Sequence, residues 1–295
     1  MKVRIAVAPG VGPFDADRLA ALIDGLEERH FDTLWLSDVP LGPTVDPAIG
    51  LAFAASRTSR LKLGANVVPI GKNPMLLAKD LAQLDRVSNG RLLLSIVPGI
   101  GSTLEREALG AKGMNRGRYL DEVLPLLRRW WSGETVEYES ERFCYPGVAV
   151  RPLPVQTPLE LWRGGIGPLA LERAGRLGDG WLGAAVTPVE SGTARTRIQL
   201  AAAEAGRTVD PEHFGMSVPY ARTDPPAASF NRLRERRPGV DVSELVAIGA
   251  AGLRQLLGSY AGEGISKFVL SPIGAVEDWA AELDWLAETV LDLQT

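Results

Sequence analysis

The residues best suited to chemistry in this chain stand just after short apolar runs. Gly164-Gly165-Ile166-Gly167-Pro168 follows a run ending in Trp162-Arg163 and leads directly into a helical pattern from Leu169. Glycines let backbone N–H groups approach an anion closely, and the positive end of the helix adds to the attraction, so a phosphate is the natural guest. The same glycines would also serve a tight turn at positive φ. Gly99-Ile100-Gly101 forms a second glycine loop, but neither it nor Gly10 and Gly12 completes the G-x-G-x-x-G spacing of a dinucleotide fold. Asp38 ends another apolar run, where a carboxylate either caps the next segment or binds a polar ligand group. Asn66, within Leu63-Gly64-Ala65-Asn66-Val67-Val68, offers an amide to a ligand. Of the two candidate acid-base residues, Tyr220 is the better proton donor, because an exposed Asp38 is ionised well below neutral pH.

Other chemistries are excluded by count. One cysteine, Cys144, and two histidines, His30 and His213, cannot form an intramolecular disulfide or a Cys/His metal site. His30 falls at the end of the first helical pattern and His213 at the amino end of a strand, so no imidazole is expected to take part in turnover. Thirty-two Lys and Arg against 36 Asp and Glu give a formal charge of −4, which disfavours a phosphate backbone as partner. Charges break the N-terminal Met1-Lys2-Val3-Arg4-Ile5 before a signal-peptide core can form, and no stretch approaches the length of an apolar span. The expectation is a cytoplasmic protein with a small-molecule substrate and neither membrane nor nucleic-acid partner.

The elements that must position these residues follow a period of about thirty. Strand-like runs start near 3, 33, 61 and 92, separated by amphipathic patterns such as Leu19, Leu22, Ile23 and Leu26 after Asp15 and Asp17. Further strands are expected near 159–162, 179–183, 213–219 and 267–271, and helices near 168–176, 188–205, 250–262 and 276–292, the last with a stripe that begins at Val276. Eight strand and helix units over 295 residues favour one closed (β/α)8 barrel, an α/β fold of the TIM type, over an open doubly wound sheet. In such a barrel the chemistry gathers at the carboxyl ends of the strands, where every candidate above stands. Two stretches break the period. Residues 133–147 alternate in period two around a polar turn and are expected to form a β-hairpin before the fifth strand; residues 223–242, rich in proline and arginine, form an insertion after the seventh and a candidate lid.

Read in order, several segments resemble the bacterial-luciferase-like monooxygenase superfamily. The clearest is the run from Leu76 to Leu92, with Asp85-Arg86-Val87-Ser88-Asn89-Gly90-Arg91 at its centre. Glu105-Arg106-Glu107-Ala108-Leu109-Gly110, Arg116 with Tyr119-Leu120-Asp121-Glu122, Leu126 to Gly133, Gly164-Gly165 and Leu177-Gly178-Asp179-Gly180-Trp181-Leu182 follow in the same sequence. The resemblance covers nearly all of residues 1–295. It implies a barrel that binds the deazaflavin coenzyme F420 or, as the alternative, FMN, and the compact length is more similar to the F420-dependent branch. It further implies a homodimer, a non-proline cis peptide at Asn66–Val67 beneath the coenzyme ring, and coenzyme contacts from Asp38, Asn66, Val67, Gly99, Arg163, Gly164, Gly165 and Ile166.

The chain also departs from that pattern. Val39 stands where the F420-dependent sugar-phosphate and alcohol dehydrogenases carry a histidine, and Pro98 to Ile100 replace a glutamate of the sugar-phosphate enzymes. Hydride transfer to an apolar or conjugated acceptor is therefore the expected chemistry, in a mouth lined by Val39, Val67 and Ile100. The alternatives are an FMN-dependent monooxygenase and a non-catalytic coenzyme-binding protein. Arg232, Arg234, Arg236 and Arg237 are expected to be either a solvated charge run or a clamp for the anionic tail of F420.

Overall fold

A computed structural model describes residues 1–10, 15–99 and 102–295. The chain runs β1 (Arg4–Val7), α1 (Ala16–Glu28), β2 (Thr33–Ser37), α2 (Pro47–Arg57), β3 (Lys62–Val67), α3 (Pro74–Val87), β4 (Leu92–Ile96), α4 (Thr103–Ala108) and α5 (Arg116–Trp131). Then come the hairpin β5 (Thr135–Glu139) and β6 (Cys144–Ala149), β7 (Leu161–Gly164), α6 (Pro168–Leu177), β8 (Gly180–Ala184), α7 (Pro188–Glu204) and β9 (Phe214–Ala221). The last elements are α8 (Asn231–Arg236), β10 (Ala247–Ile248), α9 (Gly249–Gly262), β11 (Lys267–Pro272) and α10 (Trp279–Val290).

Parallel pairing runs β1-β2-β3-β4-β7-β8-β9-β11 and returns from β11 to β1, so eight strands close a barrel. The helices start where the sequence places their caps. Asp15, Asp46, Asn73 and Asp278 each accept two backbone N–H groups of the first turn, and Pro47 and Pro74 supply a preset φ at the helix start. The cap at Asp278 corrects one expectation: α10 begins at Trp279, and Val276 lies before it. The hairpin appears at 135–149, antiparallel and separate from the barrel sheet. The insertion after β9 packs Phe230, Leu245 and Val246 with Leu233, Val240 and Val242 into a small core of its own. Arg237 donates to the Ala185 carbonyl and to Glu190, and Arg234 donates to the Ala227 carbonyl. Arg234 and Arg236 are exposed, as a solvated charge run would be, whereas Arg237 is tied to Ala185 and Glu190. The Arg232 side chain lies outside the described residues.

The barrel interior is filled rather than open. Trp35, Trp162, Leu182, Ala6 and Val269 form a buried cluster distinct from the larger one between strands and helices. A Cβ on Gly64 would lie 2.2 Å from the Trp35 ring, and one on Gly180 would lie 2.6 Å from Trp162. Those rings therefore need glycine on the next strand, and they identify the inward face of β2, β3 and β7. At the amino end, Lys267 donates to Asp32 Oδ2 at 2.7 Å and to Thr33 Oγ1 at 3.0 Å. Burial alone would raise the Asp32 pKa, but the charges of Lys267 and Lys62 hold it at about 2.

Glu27, near the end of α1, fastens the approach to β3. Its carboxylate accepts the backbone N–H groups of Ser59, Arg60 and Leu61 at 2.8 to 2.9 Å. Burial opposes the charge, yet these donors hold the pKa at about 2 against an ordinary 4.5. A depressed carboxylate contributes stability that is complete above its unfolded pKa and is lost as pH falls through the folded one. Glu27→Gln is expected to cost about 1–3 kcal/mol near pH 7, because an amide N–H₂ would face a backbone donor. The denaturant midpoint of the parent should fall between pH 4.5 and 2, and that fall should be smaller in the variant. An equal acid slope in both proteins would remove Glu27 from this role.

Candidate functional site

The inward face set by Trp35 and Gly64 carries polar groups one level higher, at the carboxyl ends of the strands. Ser37 pairs in register with Asn66, and Asn66 with Ser95, so three polar side chains lie in one row across β2, β3 and β4. Asn66 Nδ2 donates to Ser37 Oγ at 2.9 Å. Asn66 Oδ1, Ser95 Oγ and Trp35 Nε1 are buried without a hydrogen-bond partner. Each such atom costs about 1–3 kcal/mol when left unpaired. A planar heterocycle with carbonyl and N–H groups on its edge offers partners to an acceptor, a hydroxyl and a donor together. The residues present therefore fit a flavin or deazaflavin ring.

The phosphate side is equally defined. Gly165 adopts φ +108°, and a Cβ there would lie 2.8 Å from that of Ala170, so only glycine sits in this turn without strain. Its carbonyl accepts from Trp181 Nε1 at 2.9 Å. Gly167 caps α6 with no side-chain hydrogen bond; Pro168 has no N–H and the Ala170 N–H goes to the Gly167 carbonyl, so the Leu169 N–H is the first-turn donor left for a ligand. Ile166 between them is partly exposed. Behind the turn lies a cavity of about 280 Å³ lined by Pro98, Arg116, Gly117, Arg163, Gly164, Gly165 and Arg173, among others. Arg163 is 3% exposed, and its Nε and Nη1 have no partner. Burial pulls its pKa down to about 10, with Asp121 opposing the fall, so it stays charged at neutral pH. Arg116 donates to the carbonyls of Pro98 at 2.7 Å and Gly99 at 3.1 Å, and so fixes the β4 loop. Gly99 takes φ +78° there; Ile100 and Gly101 lie outside the described residues.

Several expected contacts are placed elsewhere. Asp38 reaches the end of β2, but its Oδ2 accepts from Lys72 at 2.5 Å and from the Val68 N–H at 3.2 Å. Its carboxylate thus ties down the loop after β3 in a cavity shared with Asp46, Val67 and Leu77. An ion-paired acceptor of this kind does not deliver a proton. Val67 faces that same cavity, off the barrel axis. The peptide at Asn66–Val67 is not cis: the cis bonds among the described residues precede Pro152 and Pro158. Asn66 and Val67 both remain in the regular ladder with Ser95 and Ile96, as trans peptides require. Tyr220 is the largest correction. It is buried against α10, its hydroxyl donates to Glu282 at 2.8 Å, and its ring stacks on Trp285. Burial and the Glu282 carboxylate push its pKa far above the ordinary phenol value, so it cannot serve as the acid at the mouth. Val39 is half-buried over Gly42, whose N–H donates to its carbonyl.

Sequence reasoning placed Ser37 with Asp38 at the end of β2 but missed Ser95, Trp35, Arg116, Arg173 and Lys72 as parts of this region. The signal available was strand alternation, which puts Ser37, Asn66 and Ser95 on one face once the three strands are aligned.

Eight parallel strands close an α/β barrel, with the glycine turn after β7 and the polar row of Ser37, Asn66 and Ser95 at its carboxyl end. The chain belongs to the luciferase-like monooxygenase family, whose model matches residues 1–242. It is 31% identical over 180 residues to the F420-dependent glucose-6-phosphate dehydrogenase of Kineococcus radiotolerans, covering 57% of this chain and 52% of that one. It is 29% identical over 204 residues to limonene 1,2-monooxygenase of Rhodococcus erythropolis, covering 66% and 52%. The chain spans about half the length of these curated relatives. A structure of an F420-dependent secondary alcohol dehydrogenase with an F420-acetone adduct has the same fold, with a TM-score of 0.81, 18% identity and full coverage of both chains. No helix among the described residues is long and apolar enough to cross a membrane.

Gly167 offers a test of the turn that Gly165, strained by any side chain, does not. A Cβ at Gly167 meets nothing within 4 Å, and its φ of −71° suits an aspartate cap. Gly167→Asp should keep or slightly raise the melting temperature, by a few tenths of a kcal/mol. It should weaken binding of a phosphorylated coenzyme by at least about a hundredfold, since like charges about 4 Å apart repel by about 4 kcal/mol at an effective dielectric of about 20. Unchanged binding by fluorescence titration would make the loop a turn and nothing more.

Proposed function

We propose that the barrel mouth binds F420 and that the chain is an oxidoreductase moving a hydride between this coenzyme and a small, apolar or conjugated organic substrate. The observation that carries the reading is the pairing of two unmet needs at one end of the barrel. Asn66, Ser95 and Trp35 leave polar atoms unpartnered in the cup, and Arg163 leaves a buried charge unpartnered behind the Gly164-Gly165 turn. A coenzyme with a polar ring at one end and a phosphate at the other answers both. The F420-dependent relatives support the choice of coenzyme.

When bound, the deazaflavin supplies a hydride-bearing ring carbon, and its chemistry needs little beyond orientation and a dry surface. Asn66, Ser95 and Trp35 would hold the ring edge; the turn at Gly164 and Gly165, with Arg163, would hold the phosphate. Trp35 and Trp162 block the barrel below and exclude water from that side. Ile166, after β7, and Leu104, in α4 after β4, are exposed apolar side chains on the strand-end side of the barrel, where a substrate would lie. An FMN-dependent monooxygenase is the second reading, favoured by the family and by the limonene monooxygenase match. The family resemblance also supports a homodimer, tested by sedimentation mass.

Fluorescence titration with F420 and with FMN, followed by acceptor reduction without oxygen, tests the proposal. Tight F420 binding with turnover of an enone supports it; oxygen consumption with reduced FMN and no F420 binding supports the second reading. Binding without turnover of any acceptor would leave a coenzyme carrier.

Neither histidine serves the mouth. The His30 carbonyl accepts from Gln294 at the amino end, and His213 Nδ1 lies 3.0 Å from the Asp179 carbonyl with its ring against Trp162. The rate of acceptor reduction is therefore expected to stay nearly flat from about pH 6 to pH 8, with His30→Ala and His213→Ala both active. A limb near the histidine pKa that disappears in either variant would overturn this mechanism.

A further inference from the structure

One arginine of the insertion after β9 is unlike its neighbours in the run. Arg234 and Arg236 are exposed, whereas the Arg237 side chain is 12% exposed and turned onto the loop after β8. Its guanidinium donates through Nη1 to the Ala185 carbonyl and through Nη2 to Glu190 Oε1 at 2.6 Å. Glu190 also accepts the Thr187 N–H at 2.9 Å in the capping box of α7, so Arg237 grips this loop both directly and through the first turn of the next helix. Among the described residues, every hydrogen bond and ion pair between the insertion and the loop comes from Arg237. The insertion that carries it is anchored elsewhere, by its own small core, by pairing of β10 with β9 and by the Ile273 N–H on the Tyr220 carbonyl.

The loop it grips is strained at the point of contact. Ala185 has φ +56°, and the other non-glycine residues at positive φ among those described are His30 and Asn89. Those two follow the last turns of α1 and α3, where a left-handed residue closes a helix. Ala185 follows a strand and closes nothing, and an alanine keeps that conformation only where its surroundings impose it. The Ala185 carbonyl is held by Arg237 and the next one, of Val186, by the Tyr260 hydroxyl. The loop leaves β8 beside the glycine turn, since Gly164 pairs with Leu182 and Trp181 Nε1 donates to the Gly165 carbonyl.

We propose that Arg237 is a positioning residue: from the insertion it imposes the left-handed conformation of Ala185, and so sets the course of the loop after β8 along the edge of the coenzyme site. The inference deepens the coenzyme reading and rests on it for the ligand; the tie itself stands on the contacts of Arg237 and the φ of Ala185. The planar fork of an arginine suits a carbonyl and a carboxylate taken together, which the single ammonium of a lysine does not match. Without the fork, Ala185 relaxes to negative φ and the peptides leading into α7 turn with it.

The test compares Arg237→Gln, Ala185→Gly and the double variant in the full chain. F420 and FMN are titrated by fluorescence, and hydrogen exchange is followed over residues 184–187 and 223–242 without any coenzyme. Arg237→Gln should weaken the coenzyme that the parent binds by about five- to thirtyfold, the population cost of a left-handed residue other than glycine. Glycine adopts that conformation freely, so Ala185→Gly in the same background should recover most of the loss. In the ligand-free protein, exchange over 184–187 should quicken in Arg237→Gln. Arg237→Lys should fall between the parent and Arg237→Gln, and it takes the place of Arg237→Gln should that variant fail to fold. An equal loss of binding with and without Ala185→Gly, or exchange that quickens only within 223–242, would make Arg237 a prop for the insertion and overturn the proposal. If neither coenzyme binds the parent while 184–187 loosens in Arg237→Gln, the tie stands and the coenzyme reading falls.

Discussion

Two tryptophans inside the barrel determine where everything else can go. Trp35 and Trp162 each occupy volume that would belong to a side chain on the next strand, and Gly64 and Gly180 are the consequence. A ring of this size buries on the order of 150–250 Å² and contributes more than any aliphatic residue at that level. It also fills the barrel at that level, between the amino-end polar cluster and the polar row at the carboxyl ends. Below, the only polar solution is a closed one, and Lys267 with Asp32 and Thr33 supplies it. Above, Ser37, Asn66 and Ser95 stand on the tryptophan layer, and Asn66 Oδ1 and Ser95 Oγ are buried there without a partner.

The glycines of the β7 turn work under a different constraint. Gly165 is required by its positive φ and by Ala170, whereas Gly167 is required by neither. A helix beginning at Pro168 with a bare glycine cap forgoes the stabilisation that Asp15, Asp46 and Asn73 give their helices elsewhere in the same chain. α8 and α9 also start without a side-chain cap, but at Phe230 and Ile248, whose side chains could not supply one.

How far this was legible in the sequence depends on range. The barrel was legible because each strand and helix repeats a local pattern, and the caps at Asp15, Asn73 and Asp278 mark helix starts without any knowledge of the fold. The glycine turn was legible because its chemistry resides in consecutive residues. Tyr220, Asp38 and Val67 were misread for one common reason. Proximity to a strand end says which level of the barrel a residue occupies, and the inward or outward alternation says whether it meets the mouth. Tyr220 sits at the right level on the wrong face, where α10 brings Glu282 and Trp285, more than sixty residues later, to meet it. Arg163 was named for its place in the loop, but its significance depends on what Arg173 and Asp121 already neutralise, and no local pattern contains that.

The same alternation separates charge from the reaction space. Lys72 with Asp38, Arg222 with Glu282, Arg128 and Arg207 with Asp179, and Arg173 with Asp121 all lie in the layer between strands and helices or beside the loops. The described residues that face the cup are serine, asparagine, tryptophan and small apolar side chains, none of which ionises near neutral pH. A reaction built on proton relay would need a titrating group within hydrogen-bond reach of the substrate. A hydride moves with its own electron pair and needs alignment, a short approach and few competing waters. The row of Ser37, Asn66 and Ser95 carries no titrating group, and Val39 brings no imidazole to the end of β2, so what this end of the barrel offers is alignment rather than a proton relay.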